Sequence, residues 1–538
     1  MRVSSYEMTY PLIGANDREI EGKTLLVNGL YCAVDVVDAE VGEKMRAGDV
    51  AGIPFAVRER LAARGHITRK DEAGELADVR LFGRIHAKIL GSSGIGPVLL
   101  PTYNCNFRCP YCFERHRLTR GEEWLGSTMT PKMVEAVFAG LQNYKDRGYQ
   151  VDGVSLYGGE PLMKENMATV RDICEHAKAM ELPISAITNG YDLDAYIDLL
   201  EEFEFNQLQI TVDGVGAMND CRRLHRDGVP TYDRIMKHVV LALDHGVDVS
   251  LRVNVNGENI GSLKELMEDI KARGLAETPR KERMARRKKE KKDGKKEKRG
   301  KGTFSYYFKA VTEAKDSPTH VTERNVLDAI LAAGVPPLEA IEKQSQYAGP
   351  ANGLRDVIAQ NGFTRPSTAF CGSEQGMAVI APDGKIYSCW DLVAMDDEAV
   401  GIVDEESGRI LFGFERAKWR TRTSDLMEPC RTCPLVFICR GGCAGHARIE
   451  HGSCFREHCG EAKEVVAYVA PRVVGEKWEE TREANLSVSL LPALSRLTEA
   501  ERETIMTTRD RTEIVKILVD AGIVFGEQEE TKETTDGT

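Results

Sequence analysis

The stretch Thr-Tyr-Asn-Cys-Asn-Phe-Arg-Cys-Pro-Tyr-Cys-Phe, residues 102–113, decides the interpretation of the chain. It places thiols at Cys105, Cys109 and Cys112, which are separated by three and by two residues. Three such thiols can face one point, but they supply one ligand fewer than a closed tetrahedral zinc site or a cubane iron–sulfur cluster requires. The spacing therefore predicts a four-iron four-sulfur cluster whose unique iron keeps an open position for a small molecule.

The segments around this stretch predict a parallel α/β sheet. Short apolar strands alternate with amphipathic helices, and six such strands indicate a partial (β/α)6 TIM-like barrel. The cysteine stretch follows the first strand, and the functional residues of such folds lie at the carboxyl ends of strands. The strands are predicted at 98–100, 153–157, 184–187, 208–212, 249–255 and 304–311, and the helices between them at 131–145, 167–180, 193–203, 232–245 and 262–273.

A glycine-rich motif follows the second predicted strand. Gly158 and Gly159 allow the backbone to approach a ligand closely, and the Glu160 carboxylate can accept hydrogen bonds from an ammonium group. A Gly-Gly-Glu sequence alone is more typical of a plain strand-to-helix turn, but its position one βα unit after the cysteine stretch makes it informative. The polar residues similarly placed after the third and fourth strands are Asn189, Thr211 and Arg223.

Eleven of the fourteen cysteines fall in two groups, three in the first stretch and eight between residues 371 and 459. The second group contains a Cys-x2-Cys-x5-Cys-x3-Cys run, and Asp383-Gly384 within it predicts a hairpin turn. Because zinc is the metal ordinarily bound by Cys-x2-Cys pairs, two zinc sites are the alternative to iron–sulfur clusters here. The eight thiols belong to Cys371, Cys389, Cys430, Cys433, Cys439, Cys443, Cys454 and Cys459.

The N-terminal residues predict a small module of their own. Residues 24–37 contain two strands about an Asn28-Gly29 turn, and helices are expected at 40–46 and 56–64. A hairpin with helices is compatible with a winged-helix-like peptide-recognition module and equally with a cap on the next domain. The predicted domains are 1–97 for this module, 98–320 for the core with a basic insertion at 276–303, 321–365 for a helical connector, 366–475 for the second cysteine group and 476–538 for a C-terminal helical tail.

The composition excludes several classes of protein. Hydrophobic residues make up 42% of the 538 residues, and no apolar run is long enough for a membrane span or a signal peptide. We therefore expect a cytoplasmic protein without a membrane partner. The net charge of −12 argues against general binding to DNA. Residues 280–301 contain fourteen basic and four acidic side chains, which predicts a solvated insertion or, as the minority alternative, a docking site for an acidic peptide or RNA.

With these motifs in order, the sequence resembles a radical S-adenosylmethionine (SAM) enzyme with a C-terminal SPASM domain, over about residues 98–465. The resemblance rests on the cysteine stretch, on Gly-Gly-Glu-Pro at 158–161 and on the second cysteine group. The SPASM pattern consists of Cys, Gly-x4-Cys, Cys-x2-Cys-x5-Cys-x3-Cys and a final Cys. It is matched by Cys371, Gly384, Cys389, Cys430, Cys433, Cys439, Cys443 and Cys459.

The resemblance implies that Cys105, Cys109 and Cys112 bind a [4Fe–4S] cluster whose open iron chelates the methionine moiety of SAM. Reductive cleavage of SAM would then yield a 5′-deoxyadenosyl radical that takes a hydrogen atom from the substrate. The remaining SAM contacts that it implies are Tyr111 near the adenine, Gly158, Gly159 and Glu160 at the ammonium group, Asn189 at the ribose region, and Thr211 and Arg223 at the carboxylate.

By the same resemblance, the second cysteine group holds two auxiliary [4Fe–4S] clusters, which makes three clusters in all. The implied ligands are Cys430, Cys433, Cys439 and Cys459 for one cluster, and Cys371, Cys389 and Cys443 for the other. The cluster of Cys371, Cys389 and Cys443 has only three of these ligands. Its fourth iron is either open, so that it could bind a substrate thiolate, or bound by the additional thiol of Cys454.

The resemblance also implies a peptide or protein substrate. The N-terminal module is similar to the leader-binding element of ribosomal peptide maturases, which bind the leader by adding a strand. The resemblance therefore favours a maturase that installs a thioether or carbon–carbon crosslink in a precursor peptide with a leader. Such an enzyme receives electrons from a donor such as flavodoxin or ferredoxin. Asp391, two residues after Cys389, is the candidate base that removes a proton after hydrogen abstraction.

Two alternatives stay open. A sulfatase-maturing, formylglycine-generating enzyme usually has Asp directly after the Gly-x4-Cys cysteine, where this chain has Trp390, and it normally starts close to its first cluster. A non-catalytic iron–sulfur electron carrier or zinc scaffold is the alternative of another class. A carrier needs neither the open-site spacing at Cys105 nor Glu160.

Overall fold

The computed structural model describes residues 1–89, 94–279, 282–283, 285–286, 300–313, 316–359, 367–508 and 510–522. These residues belong to two compact units. Met1–Ser92, Tyr347–Cys371 and Arg422–Thr538 form one, the terminal unit, and Ser93–Gln346 with Gly372–Thr421 form the other, the sheet unit. Most of the predicted basic insertion and the end of the predicted tail lie outside the described residues. Within those residues, no helix has the length and apolarity needed to cross a membrane.

The N-terminal part of the terminal unit contains a three-stranded antiparallel sheet. The elements of this N-terminal part are β1 (Arg2–Val3), β2 (Glu7–Ile13), β3 (Glu19–Asn28), β4 (Ala33–Asp38), α1 (Ala39–Ala47), α2 (Phe55–Arg64), β5 (Ile67–Thr68) and α3 (Glu72–Ile89). The sheet has the order β2-β3-β4, and β3 and β4 are the predicted hairpin. The Asn28 side-chain oxygen accepts hydrogen bonds from the Leu30 and Tyr31 amides at 3.1 and 2.8 Å, which fixes the turn. Strand β2 was not predicted from the sequence.

The sheet unit is built on an eleven-stranded sheet. Its strands are β6 (Gly94–Leu99), β7 (Gln150–Val151), β8 (Val154–Leu156), β9 (Ile184–Thr188), β10 (Gln207–Thr211), β11 (Asp248–Val255), β12 (Phe304–Ala310), β13 (Met377–Ile380), β14 (Lys385–Tyr387), β15 (Gly401–Asp404) and β16 (Arg409–Phe412). The order is β12-β11-β10-β9-β8-β6-β13-β14-β15-β16, with β7 beside β6. All six predicted strands are present and pair in parallel, which confirms the predicted α/β class.

The second cysteine segment extends the same sheet. Strand β13 pairs in parallel with β6, and β13 to β16 continue as antiparallel neighbours. The predicted Asp383-Gly384 turn joins β13 to β14, and the Gly384 amide donates to the Ala381 carbonyl oxygen at 2.9 Å. Residues 372–421 of the predicted domain 366–475 therefore belong to the sheet unit, and residues 422–475 belong to the terminal unit.

Helices follow the parallel strands as predicted. Helix α5 begins where the Thr130 hydroxyl accepts a hydrogen bond from the Met133 amide at 3.1 Å. The helix predicted at 193–203 starts with a tighter 3-10 turn at Leu193–Tyr196. The helices are α4 (Glu122–Leu125), α5 (Pro131–Asp146), α6 (Met167–Ala179), α7 (Ile197–Glu202), α8 (Ala217–Arg222), α9 (Tyr232–Asp244), α10 (Leu263–Ala272), α11 (Glu323–Ala332), α12 (Pro337–Lys343), α13 (Ser345–Ala359), α14 (Gly372–Gln375) and α15 (Phe414–Thr421).

The C-terminal residues of the terminal unit are helical. Thr498 and Glu501 form a capping box at the start of one helix of the predicted helical tail. Asp510 caps a separate helix by accepting from the Thr512 amide at 2.8 Å. The helices are α16 (Glu428–Arg431), α17 (Ala444–His451), α18 (Ala462–Thr481), α19 (Leu491–Leu494), α20 (Glu499–Thr507) and α21 (Arg511–Asp520).

The N-terminal sheet packs against these C-terminal residues. Val466 and Val474 of α18 share a buried apolar cluster with Leu25 and Val36 of the sheet. Residues 484–486 also run beside β4, since the Val36 amide donates to the Ala484 carbonyl oxygen at 2.8 Å. The N-terminal module and the C-terminal tail therefore share one core within the terminal unit.

Candidate active site

The predicted cysteine stretch forms a loop between β6 and a 3-10 helix at Phe113–Arg120. Local hydrogen bonds shape it: the Cys105 amide donates to the Asn104 side-chain oxygen at 2.9 Å, and the Phe107 amide donates to Cys105 Sγ at 3.3 Å. The Arg108 amide donates to the Leu224 carbonyl oxygen at 2.7 Å, which ties the loop to the segment after α8. The sequence therefore builds a loop around the thiols that is held by its own hydrogen bonds.

The structure brings the three predicted thiols together. Burial raises the pKa of Cys105 well above its usual value, and the neighbouring Glu160 and Cys109 raise it further. Burial likewise raises the pKa of Cys112 to about 12, with Glu114 and Cys109 adding to the effect. Because buried neighbouring thiolates repel one another, these three groups carry charge only when a cationic centre binds them.

The three thiols line one cavity, here called the cysteine cavity. Gly159 lies on its wall, and a Cβ atom on Gly159 would come within 2.0 Å of the Asn104 carbonyl oxygen. Only glycine therefore allows the loop after β8 to pass this close to the cysteine loop. The Glu160 amide then donates to the Asn104 oxygen at 2.8 Å, which fixes the predicted Gly158-Gly159-Glu160 motif beside the thiols.

Glu160 presents a buried carboxylate at this place. Its side chain is held by three donors: the Leu162 amide at 2.9 Å, the Thr188 hydroxyl at 2.5 Å and the Asn189 amide at 2.5 Å. Burial raises the pKa of Glu160 to about 7, against the effect of these hydrogen bonds. A cationic ligand would restore its charge and bind tightly.

Asn189 lies next to Glu160, as the strand order predicts. Its side-chain amide donates to the Asn106 oxygen at 2.7 Å, and its own oxygen accepts from the Tyr191 amide at 2.9 Å. Asn106 belongs to the cysteine loop and was not predicted, because nothing in its local sequence separates it from an ordinary loop residue. Thr211 ends β10 and is buried.

Tyr111 and Arg223 join one polar network. The Tyr111 hydroxyl donates to the Asp213 carboxylate and accepts from Arg223 at 3.3 Å. Arg223 is buried, and its Nε has no hydrogen-bond partner among the described residues. The neighbouring Arg222 is already paired, since it lies 2.5 Å from Glu258. Arg222 Nε also has no hydrogen-bond partner among the described residues, but the guanidinium of Arg222 is neutralised by Glu258, whereas Arg223 contacts the hydroxyl of Tyr111.

The face of the sheet that carries Thr211 also carries polar residues that were not predicted from the sequence. Arg252 on β11 is paired in register with Thr211 on β10 and with Tyr307 on β12. Its Nε donates to the Asn254 side chain at 2.8 Å, and the Tyr307 hydroxyl donates to Gln209 at 2.9 Å. The period-2 alternation of polar and apolar residues in 248–255 was the available signal for this face.

Asp391 lies in the sheet unit, in a 3-10 turn directly after Cys389. Its charge contributes to the raised pKa of Glu114, which burial increases to about 7. The ring of the adjacent Trp390 is 5.7 Å from the Tyr157 ring at the end of β8. Asp391 is therefore near the cysteine loop, and its role as a base stays a prediction.

Four thiols of the second cysteine group lie close together in the terminal unit. Burial raises the pKa of Cys430 to about 12, and Cys439, Cys459 and Cys433 raise it further. The buried Arg422 donates to the backbone carbonyl oxygens of Cys454 and Gly441, which ties two of the cysteine loops together. These contacts fit the predicted ligand set of one cluster.

The turn before Cys443 depends on a glycine. Gly442 has a φ of 70°, and a Cβ atom there would come within 1.8 Å of the His458 carbonyl oxygen. This close approach brings the segment of Cys439 to the segment of Cys459. Of the other predicted ligands, Cys371, Cys443 and Cys454 belong to the terminal unit and Cys389 to the sheet unit, so their shared cluster stays a prediction.

An iron–sulfur cluster and SAM fit the residues of the sheet unit. The three thiols lie around one cavity, a buried carboxylate faces the same loop, and a buried arginine has an unused donor. Across the part of the chain that the structure describes, no three His, Cys, Asp or Glu side chains form a site for a single metal ion.

Comparison with known proteins gives the class. Residues 99–270 match the model of the Radical SAM superfamily. This stretch begins in β6 and includes the cysteine loop, the Gly158-Gly159-Glu160 motif and Asn189. The chain therefore carries a radical SAM domain, as predicted, and this family implies SAM and a [4Fe–4S] cluster.

Individual relatives extend this picture. The chain is 25% identical over 168 residues to pre-heme d1 synthase of Dinoroseobacter shibae, covering 31% of this chain and 38% of the relative. It is 24% identical over 169 residues to PqqA peptide cyclase of Rhizobium meliloti, covering 31% of this chain and 41% of the relative. The chain thus spans less than half the length of either curated relative.

A solved structure matches over a larger part of the chain. Native anSMEcpe with bound AdoMet and Cp18Cys peptide has a TM-score of 0.51 and 16% identity, covering 70% of this chain and 98% of that one. This similarity shows that the two proteins share a fold. Together with the family match over residues 99–270, the shared fold confirms the predicted α/β radical SAM fold.

Proposed function

We propose that this chain is a radical SAM/SPASM peptide maturase, which installs a thioether or carbon–carbon crosslink in a ribosomally made precursor peptide. The observation that carries the proposal is the single cavity at which three thiols, Gly159 and the loop of the buried Glu160 meet. An electron carrier or a zinc scaffold has no use for a buried carboxylate beside a site that is one ligand short.

Cys105, Cys109 and Cys112 would hold the cluster that binds SAM. Cluster and SAM together supply a 5′-deoxyadenosyl radical, which abstracts a hydrogen atom from the substrate. Glu160 would receive the methionine ammonium group, because three donors already fix its carboxylate and burial strengthens its attraction to a cation. Gly158 and Gly159 would let the backbone contact the same group.

The other SAM contacts would come from the neighbouring strand ends. Arg223, with its unused Nε, would bind the methionine carboxylate together with Thr211. Asn189 would contact the ribose region, since its side chain is held in place by Asn106. Tyr111 would lie near the adenine, with its hydroxyl fixed by Asp213.

The substrate segment would lie on the face of the parallel sheet that carries Thr211 and Arg252. Arg252 has no carboxylate partner within ion-pair distance among the described residues, unlike the paired Arg222. Gln209 and Tyr307 flank it and supply further hydrogen-bonding groups. This polar face suits a peptide backbone and a polar or acidic side chain, and Asp391 would take the proton that leaves after hydrogen abstraction.

Two auxiliary [4Fe–4S] clusters would complete the enzyme. The four mutually close thiols of the terminal unit would hold one, and Cys371, Cys389 and Cys443 the other, with Cys454 or an open iron at its fourth position. Since a strong reductant must feed all three clusters, we propose a flavodoxin or ferredoxin as electron donor and the cytoplasm as location.

The N-terminal sheet would bind the leader of the precursor. Strand addition requires a free edge, and the β4 edge is closed by residues 484–486 of the chain itself. Among the described residues, the outer edge of β2 carries no such backbone pairing. The leader would therefore pair with β2, whose Pro11 limits the pairing to part of the strand.

Sulfatase maturation is the second candidate function. The shared fold with anSMEcpe, whose solved structure contains AdoMet and the Cp18Cys peptide, favours it. Trp390 after Cys389 and the N-terminal module favour the maturase instead. The two proposals differ in product, because a crosslink removes two hydrogen atoms from a peptide whereas the other reaction converts a cysteine to formylglycine.

The test uses anaerobically reconstituted protein with SAM, dithionite and two peptide sets. One set contains small peptides encoded beside this gene, and the other contains Cys-x-Pro-x-Arg sequences. Mass spectrometry should find crosslinked products only in the first set. The Cys109→Ala variant should form none, whereas the control variant Cys221→Ser, at an exposed cysteine, should retain activity. Formylglycine in the second set would support the sulfatase function instead.

A further inference from the structure

Arg117 is a buried arginine of the sheet unit with unsatisfied donors. It lies in the 3-10 helix Phe113–Arg120 directly after the cysteine loop, and its side chain is 2% exposed. None of Nε, Nη1 and Nη2 has a hydrogen-bond partner among the described residues. Glu114 Oε1 lies 2.6 Å from Nη2 but without hydrogen-bond geometry, and the Tyr103 ring lies 5.6 Å from the guanidinium carbon.

Such an arrangement is costly unless an acceptor is present in the working protein. A buried donor without a partner costs about 1 to 3 kcal/mol, and a charged group costs more. A guanidinium carries five N–H donors in one plane and cannot lose its charge. Glu114 lies beside one end of the guanidinium only, so the remaining donors indicate a further anionic acceptor that is not among the described side chains.

The place of that acceptor is given by the cavity that Arg117 lines. The same cavity is lined by Cys105, Cys109 and Cys112. Sulfur atoms of an iron–sulfur cluster and its thiolates are anionic acceptors of the required kind. Hydrogen bonds to these sulfurs and the net charge around a cluster set its reduction potential.

We propose that Arg117 is a positioning residue that donates hydrogen bonds to sulfur atoms of the cluster held in the cysteine cavity and thereby raises its reduction potential. Glu114 opposes this effect, since it places a negative charge beside the same guanidinium. The inference rests on the proposed function only in requiring that the three thiols hold a cluster. It extends that function by assigning the control of cluster reduction to a charge pair next to Cys112.

The opposite signs of the two charges make the proposal testable. Removing the positive charge with Arg117→Met should make the cluster harder to reduce, and removing the negative charge with Glu114→Gln should make it easier. Arg117→Lys keeps the charge but loses the planar fork, so its potential should lie between those of the unsubstituted protein and Arg117→Met. Arg120→Met is the matched control, because Arg120 is in the same helix but pairs with Asp396 at the surface.

The measurement is a potentiometric titration of the full-length reconstituted protein followed by electron paramagnetic resonance. The relevant cluster is the one whose signal changes on addition of SAM. We expect a negative shift for Arg117→Met, a positive shift for Glu114→Gln and none for Arg120→Met. Shifts of the same sign for the first two variants, or no shift in either, overturn the proposal.

The outcome also separates this proposal from the proposed function. If the unsubstituted protein shows no signal that responds to SAM, the cluster assignment fails and the role of Arg117 falls with it. If that signal is present but does not depend on Arg117 and Glu114, only the role of the charge pair is refuted. Circular dichroism checks that each variant folds. If Arg117→Met does not fold, the two single variants Arg117→Lys and Glu114→Gln still test the proposal.

Discussion

Glu160→Gln should weaken SAM binding strongly while leaving the cluster in place. The substitution keeps the size of the side chain but removes the charge that would meet the methionine ammonium group. A hydrogen bond to a charged group contributes about 1.5 to 3 kcal/mol. This corresponds to an increase of about 10- to 150-fold in the Kd for SAM.

The same substitution should also cost stability. Oε1 of Glu160 accepts from Leu162 and Thr188, and Oε2 accepts from the Asn189 amide at 2.5 Å. Glutamine has only one acceptor oxygen, so at least one of these buried donors loses its partner. The expected loss is about 1 to 3 kcal/mol of unfolding free energy.

The assay is equilibrium dialysis of labelled SAM against anaerobically reconstituted protein, with iron content as the check on cluster assembly. Glu160→Asp keeps the charge at a shorter reach and should lose less affinity than Glu160→Gln. Glu165→Gln is the control, because Glu165 is a nearby carboxylate that pairs with Arg226 at 3.2 Å on the surface. An unchanged Kd for Glu160→Gln, or an equal loss for Glu165→Gln, would refute the assignment.

Further predictions concern the cysteine loop, the terminal unit and the face of the sheet that carries Arg252. Gly159→Ala should displace the facing cysteine loop, because the added Cβ would lie 2.0 Å from a loop carbonyl oxygen, and iron content after reconstitution should fall. The terminal unit should lose stability as the pH rises through about 9, because burial lowers the pKa of His66 but the Glu7 and Asp35 carboxylates raise it to about 9. The stabilising charge of His66 is fully present below its unfolded pKa of about 6.5 and is lost above pH 9. Denaturant midpoints at pH 7 and pH 10 measure this loss, and equal midpoints would contradict it. Arg252→Met should abolish peptide modification but leave the Kd for SAM within about twofold, whereas Arg252→Lys should retain part of the activity, and a loss of SAM binding would move Arg252 into the SAM site.

The parts of this site that were predictable from the sequence are those set by local spacing. Cys105, Cys109 and Cys112 lie in one short loop, so their convergence depends on few backbone angles. Gly159 and Glu160 follow the neighbouring parallel strand, and strand ends of one sheet meet at one edge. The alternation of apolar strands and amphipathic helices was sufficient for the parallel sheet.

The parts that were not predictable depend on contacts between distant residues. The Tyr111 hydroxyl meets Asp213, which is 102 positions away in the sequence. The burial of Arg117 depends on packing around Tyr103, and an arginine in a polar loop ordinarily lies at the surface. The pairing of residues 484–486 with β4 has no sequence signal, because this short segment lacks the alternation of a strand.

The most direct test of the account is the formation of 5′-deoxyadenosine by the anaerobically reconstituted protein. With SAM and dithionite, the unsubstituted chain should form this product and contain roughly twelve iron atoms, as three [4Fe–4S] clusters require. Cys109→Ala should abolish the product and lower the iron content to roughly eight, because the two auxiliary clusters remain. Zinc without iron and sulfide, or continued formation of 5′-deoxyadenosine by Cys109→Ala, would contradict the central claim that these three thiols hold the cluster at which SAM is cleaved.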